Sequence, residues 1–138
     1  MNKFYKGIND YFYKRLIKEE KSFYYEKDNN IYLSDSYSIA IIPRDEFILD
    51  KSKMIEVNLE MFFQRLDLDK YKDISDWVSK ENLIYLYDKE NNKVTIDKKY
   101  MKLFINHRLK INIEKVNNPV LCYDEEKIVG IILPIREY

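Results

Sequence analysis

One arrangement of turns and β-prone runs limits what this chain can fold into: a helical period followed by three short strands occurs near the start and again near the end. In the first copy Phe4, Ile8, Phe12 and Leu16 recur at four-residue steps, with Tyr5, Tyr11 and Ile17 widening the apolar face. That spacing predicts a helix over 3–19. Two β-prone runs, 22–27 and 31–34, flank Asp28-Asn29-Asn30 and read as a hairpin. Ser34-Asp35-Ser36 makes a second turn, and 37–42 gives a third strand stopped by Pro43.

In the second copy Asp97 caps a helix ending near Arg108, with Tyr100, Leu103 and Phe104 on one face. Strands are expected at 110–116, 119–123 and 128–133. Between the copies, Asn58 caps a helix over 59–66, a second short helix over 74–79 carries Trp77, and strands at 83–87 and 93–96 flank Asn91-Asn92. Helices kept apart from short antiparallel strands define an α+β class. The expectation is one α+β domain over 1–138, with halves at about 1–50 and 83–138 and a helical insertion over 51–82.

The last third carries a resemblance. Val94-Thr95-Ile96-Asp97 enters a basic helix, Pro119 opens the middle strand, and Pro134-Ile135-Arg136 closes the last one. This stretch, 94–136, resembles the C-terminal end of a bacterial DNA polymerase sliding-clamp domain. The run 31–40 similarly looks like the clamp pattern of strand, short turn and strand. The resemblance implies a DNA-clamp-like domain of two similar halves, each giving one helix to an inner layer and strands to an outer layer. The insertion departs from the simplest clamp half.

At 138 residues the chain is long enough to bury one real core. Its longest apolar runs, 39–42 and 128–133, are far too short to span a bilayer, and the N-terminus lacks the apolar stretch of a signal peptide. A cytoplasmic protein without membrane partners is expected. Cys122 is the single cysteine, so no intrachain disulfide forms, and its strand position predicts a small buried hydrophobe. Lys, Asn, Ile and Tyr are heavily used while Gly is rare, the pattern of AT-rich codons. It points to a low-GC bacterium, or a phage or mobile element living in one.

The whole chain is neutral, yet its charge is polarised. Residues 3–21 carry six basic against three acidic side chains, and 97–110 carry five against one. Basic helices suit what the clamp resemblance implies, helices that meet phosphates without reading bases, although an amphipathic helix in a lysine-rich chain also has a solvated basic face. Tyrosines concentrate in the first 40 residues, where exposed members could serve a protein partner.

Catalytic signatures are sparse. His107 is the one histidine, and pairing it with Cys122 would require a buried thiol to meet a helix-terminal imidazole. Asp67, Asp69, Asp73 and Asp76 lack the spacing and central glycine of a calcium loop. Glu125-Glu126-Lys127 contains the acidic-x-Lys triplet of some metal nucleases but falls in a hairpin tip. No catalytic residue, metal or cofactor is expected.

Two functional readings stand. The first is a non-catalytic binding protein, encoded by a phage or mobile element, that docks on a host protein or protein–nucleic-acid complex and modulates or inhibits replication or a CRISPR-type defence nuclease. Its partner site draws on Tyr11 and Tyr13 and, as the resemblance implies, on Leu133, Pro134, Ile135 and Arg136, with Glu137-Tyr138 extending past the usual ending. The second is a processivity factor assembled from several copies around duplex DNA. The resemblance would then place Lys14, Arg15, Lys18, Lys99, Lys102 and Arg108 against phosphates. A small metal-dependent nuclease built on Glu125 remains a third alternative.

Overall fold

The computed structural model describes residues 2–115 and 117–136. Three α-helices and eleven strands among the described residues make an α+β fold, as the sequence pattern predicts. The chain divides into two compact units, Met1–Leu66 and Asp67–Tyr138.

The first unit opens with α1 (Lys3–Ile17), started by Asn2, whose side chain accepts a 2.8 Å hydrogen bond from the Tyr5 amide. Ile8 and Phe12 are fully buried, each contributing roughly 1.5–3 kcal/mol by leaving water. Asn9 lies between them on the same buried face. Its amide donates to the carbonyls of Tyr5 at 3.0 Å and Glu46 at 2.9 Å and accepts from Ile48 N–H at 3.3 Å, so its burial is compensated.

Strands β1 (Phe23–Lys27), β2 (Asn30–Ser34) and β3 (Ser38–Pro43) run antiparallel, and the two-residue β4 (Ile55–Glu56) adds in parallel to β1. Asp28 and Asn29, at φ 52° and 64°, make the primed turn that suits a two-residue hairpin. At the next corner the Asp35 carboxylate accepts from Tyr37 N–H, Ser38 N–H, the Ser38 hydroxyl and the Tyr11 hydroxyl. Helix α2 (Glu60–Gln64) is tethered through Glu60, which takes the Tyr25 hydroxyl at 2.6 Å and Lys27 Nζ at 2.7 Å.

The second unit contains β5 (Lys72–Asp73), β6 (Asp76–Lys80), β7 (Leu83–Tyr87), β8 (Lys93–Asp97), α3 (Lys98–Phe104), β9 (Arg108–Ile111), β10 (Val120–Asp124) and β11 (Lys127–Ile132). Its strands form a three-stranded antiparallel sheet, β6-β7-β8, and an antiparallel run in the order β5-β9-β10-β11. A helix followed by three antiparallel strands therefore recurs in each unit.

The Phe104 ring closes the core by lying on the backbone of β11: a Cβ placed on Gly130 would sit 2.2 Å from its Cε1. Tyr71 locks the approach to β10, its hydroxyl donating to Pro119 O at 2.7 Å. Burial raises the pKa of that hydroxyl to about 12.

Several predicted boundaries need correction. Residues 74–79 are not helical. They hold β6, because Trp77 and Val78 pair with Leu86 and Tyr85 across a turn that Glu81 closes at φ 56°. The helix capped by Asp97 ends at Phe104 rather than near Arg108, since pairing with β10 draws Arg108 into β9. The strand expected over 110–116 spans 108–111, and Val116 lies outside the described residues. The helix expected over 59–66 is shorter, although Asn58 Oδ1 does accept the Glu60 amide at 2.9 Å.

Candidate binding surfaces

Helix α1 turns one stripe to solvent: Lys3, Lys6, Asp10, Tyr13, Lys14, Ile17 and Lys18 are all exposed at helical spacing. Lys3, Lys6, Lys14 and Lys18 form no ion pair among the described residues, so their charge is available to a partner. Arg15 differs. Its Nη1 meets Glu20 at 2.9 Å, its Nε donates to Ser22 Oγ at 3.1 Å, and its Nη2 donates to Lys21 O, which fastens the loop after the helix.

In the second unit Lys99 and Lys102 are exposed on α3, with Lys99 Nζ 5.0 Å from the Tyr100 ring centre. Arg108 is occupied by Asp73 at 2.8 Å and Glu126 at 4.0 Å, over the Tyr123 ring. Of the six expected phosphate-facing residues, four lysines present accessible charge and two arginines hold local structure.

The expected tyrosine site divides in the same way. Tyr11 is tied to Asp35 at 2.6 Å, whereas Tyr13 and Tyr37 are more than half exposed. Tyr24 and Tyr25 spend their hydroxyls on Glu56 and Glu60.

Residues after β11 help to build a concavity. Ile135 N–H donates to Thr95 O at 2.8 Å, laying the C-terminal segment along the edge of β8. Arg136 Nε donates to Asn117 Oδ1 at 2.8 Å. Between them opens a groove of about 450 Å³ lined by Asn92–Thr95, Ile113, Lys115 and Pro134–Arg136. Val94, Ile113, Pro134 and Ile135 supply apolar wall, and Lys93, Lys115 and Arg136 supply positive charge. Leu133, expected at this site, is half-buried and does not line it; Glu137 and Tyr138 lie outside the described residues. Sequence reasoning missed Lys93, Val94, Ile113 and Lys115, which reach the groove from separate segments and share no local motif.

The other groups singled out in the sequence also lie in the second unit. Cys122 is wholly enclosed, and burial pushes its thiol far above the ordinary range, so it stays protonated. Burial holds the His107 imidazole below its usual pKa, with Asp124 opposing. Glu125, at φ 55°, shapes the β10–β11 hairpin tip, and Glu126 pairs with Arg108. No helix among the described residues is long and apolar enough to cross a membrane. The chain matches no family model, no curated protein and no solved structure.

Proposed function

We propose that this protein is a clamp-like, non-catalytic binding module from a phage or mobile element, which docks on a host nucleic-acid-handling complex and modulates or inhibits it. One observation carries the reading: the C-terminal groove joins the apolar side chains of Val94, Ile113, Pro134 and Ile135 to the cationic side chains of Lys93, Lys115 and Arg136. Such a lining suits an extended peptide that alternates apolar and acidic residues, because each part of the peptide meets its complement. The helix-then-three-strands order of each unit supports the clamp-like description.

The test has two arms. A fluorescent peptide of alternating Leu and Asp should bind with micromolar affinity, and Ile135→Asp with Arg136→Glu should weaken it at least about tenfold, an energy near 1.4 kcal/mol. The protein should also inhibit a reconstituted host replication or guide-directed cleavage reaction, saturating near one equivalent. Peptide binding unaffected by the double substitution, or no effect on either reaction, defeats the proposal.

A second reading, a DNA-encircling factor of several copies, draws on the accessible lysines of α1 and α3. Reversing Lys99 and Lys102 should weaken duplex binding and lower the salt slope by about 1–2, since each lost phosphate contact removes roughly 0.9. An unchanged slope removes this reading.

A further inference from the structure

The three-stranded sheet has two edges, and they are treated differently. At β8 the C-terminal segment covers the edge through the Ile135–Thr95 hydrogen bond. At β6 no described strand pairs with the outer side, and all five of its residues are exposed. A bare edge strand offers unpaired N–H and C=O groups as a template for another strand.

The side chains on β6 fit one occupant in particular. Trp77 and Ser79 stand opposite Leu86 and Ile84, which are buried, so they form the outermost row of the sheet's inner face. Trp77 nevertheless remains 41% exposed, and Val78 on the other face 47%. The strand begins with Asp76 and ends with Lys80, opposite charges equidistant from Val78. Neither has an ion-pair partner among the described residues; Asp76 uses one oxygen on its neighbour's amide, that of Trp77.

We propose that β6 pairs antiparallel with β6 of a second copy of this chain about a two-fold axis at Val78. In that register Asp76 faces Lys80 of the partner subunit at both ends, Val78 faces its own counterpart, and each tryptophan packs over the partner's Ser79. Directly opposed charges of unlike sign stabilise an antiparallel pair, and like charges destabilise it. A slip of two residues would set Asp76 or Lys80 against valine, and parallel pairing would set like charges side by side. The charge pattern thus selects both direction and register. The symmetric joint closes on itself as a dimer, with the two sheets merged into one. It is independent of the groove and of the peptide-binding reading.

Sedimentation equilibrium of the full chain tests the proposal. The wild type should show a concentration-dependent dimer. Asp76→Lys makes both ends of the strand positive and Lys80→Asp makes both negative, so each variant alone should dimerise at least about tenfold more weakly. Mixed in equal amounts, the two should recover a heterodimer, because each end again meets the opposite charge. The Asp76→Lys, Lys80→Asp double variant should also recover the homodimer. Both positions are exposed, and circular dichroism of each variant controls for folding. A monomeric wild type, single variants that dimerise normally, or a mixture that fails to associate would each overturn the proposal.

Discussion

Each unit sets one helix before three antiparallel strands, yet the two helices are held by different means. Helix α1 runs 15 residues and buries a regular face around Phe12. Helix α3 runs only seven residues, too short to be stable alone. It depends on Tyr100, Met101 and Phe104 entering the core, above all on the Phe104 ring seated on β11. The first helix carries much of its own specification, whereas the second is made by its surroundings. The two glycines of the chain fall one in each arrangement, Gly7 within α1 and Gly130 within β11, and they offer the means to separate the cases.

The largest effect is expected at Gly130. A methyl group there would overlap Phe104, with a second ring atom at 2.4 Å, so the ring must move or the strand must bend. Gly130→Ala should cost about 1–3 kcal/mol, the usual range for overpacking a filled core. Chemical denaturation measures it. Phe104→Leu, destabilising by itself, should relieve part of that cost, giving a coupling of about 0.5–3 kcal/mol in a double-mutant cycle. Strict additivity would mean that the ring does not set the space above β11.

A smaller effect concerns the turn that delivers β8 to the groove. Asp88 is buried, which disfavours its charge. Hydrogen bonds from Asn92, backbone and side chain, and from the Glu90 amide outweigh that penalty and hold its pKa below 3.8. A lowered folded pKa contributes stability above the unfolded value, and that contribution is lost as pH falls through 3.8 towards the lower folded value. Amide hydrogen exchange at Glu90 and Asn92 should therefore quicken, relative to intrinsic rates, as the solution is acidified below pH 3.8. Asp88→Asn should remove that pH dependence. Protection that persists through acidification would show that the backbone holds the turn without the carboxylate.

The same contrast explains what could be read in the sequence. Helix α1, the hairpin at Asp28-Asn29 and the strands after Pro119 announce themselves through local period and turn chemistry. The run 74–79 did not, because Trp77 and Val78 are adjacent and their strand is exposed on both faces, leaving no alternation to read. Arg108 looked helical because helix propensity was its only visible influence; pairing with Tyr123 across β9 and β10 decides otherwise. In the groove, Pro134, Ile135 and Arg136 are contiguous and were legible. Their companions Val94, Ile113 and Lys115 come from segments that only the fold brings together. Arg15 and Arg108 share the basic composition of the exposed lysines, and only their contacts with Glu20 and Asp73 mark them as structural.

The smallest effect, and of opposite sign, belongs to Gly7. A Cβ at this position meets nothing within 4 Å, and the backbone is ordinary helix, so glycine here contributes only the entropy of its unfolded state. Gly7→Ala should stabilise the protein by about 0.5–1 kcal/mol, the helix-propensity difference between the two residues. Denaturant titration would show it as a raised midpoint with an unchanged slope. Because Gly7 adjoins the exposed lysine stripe, the same variant also reports on that surface. If alanine raises stability and leaves partner or duplex binding intact, α1 is an independent element whose lysines act at a distance from its backbone. If alanine destabilises, α1 resembles α3 after all, and its surroundings rather than its own sequence hold it in place.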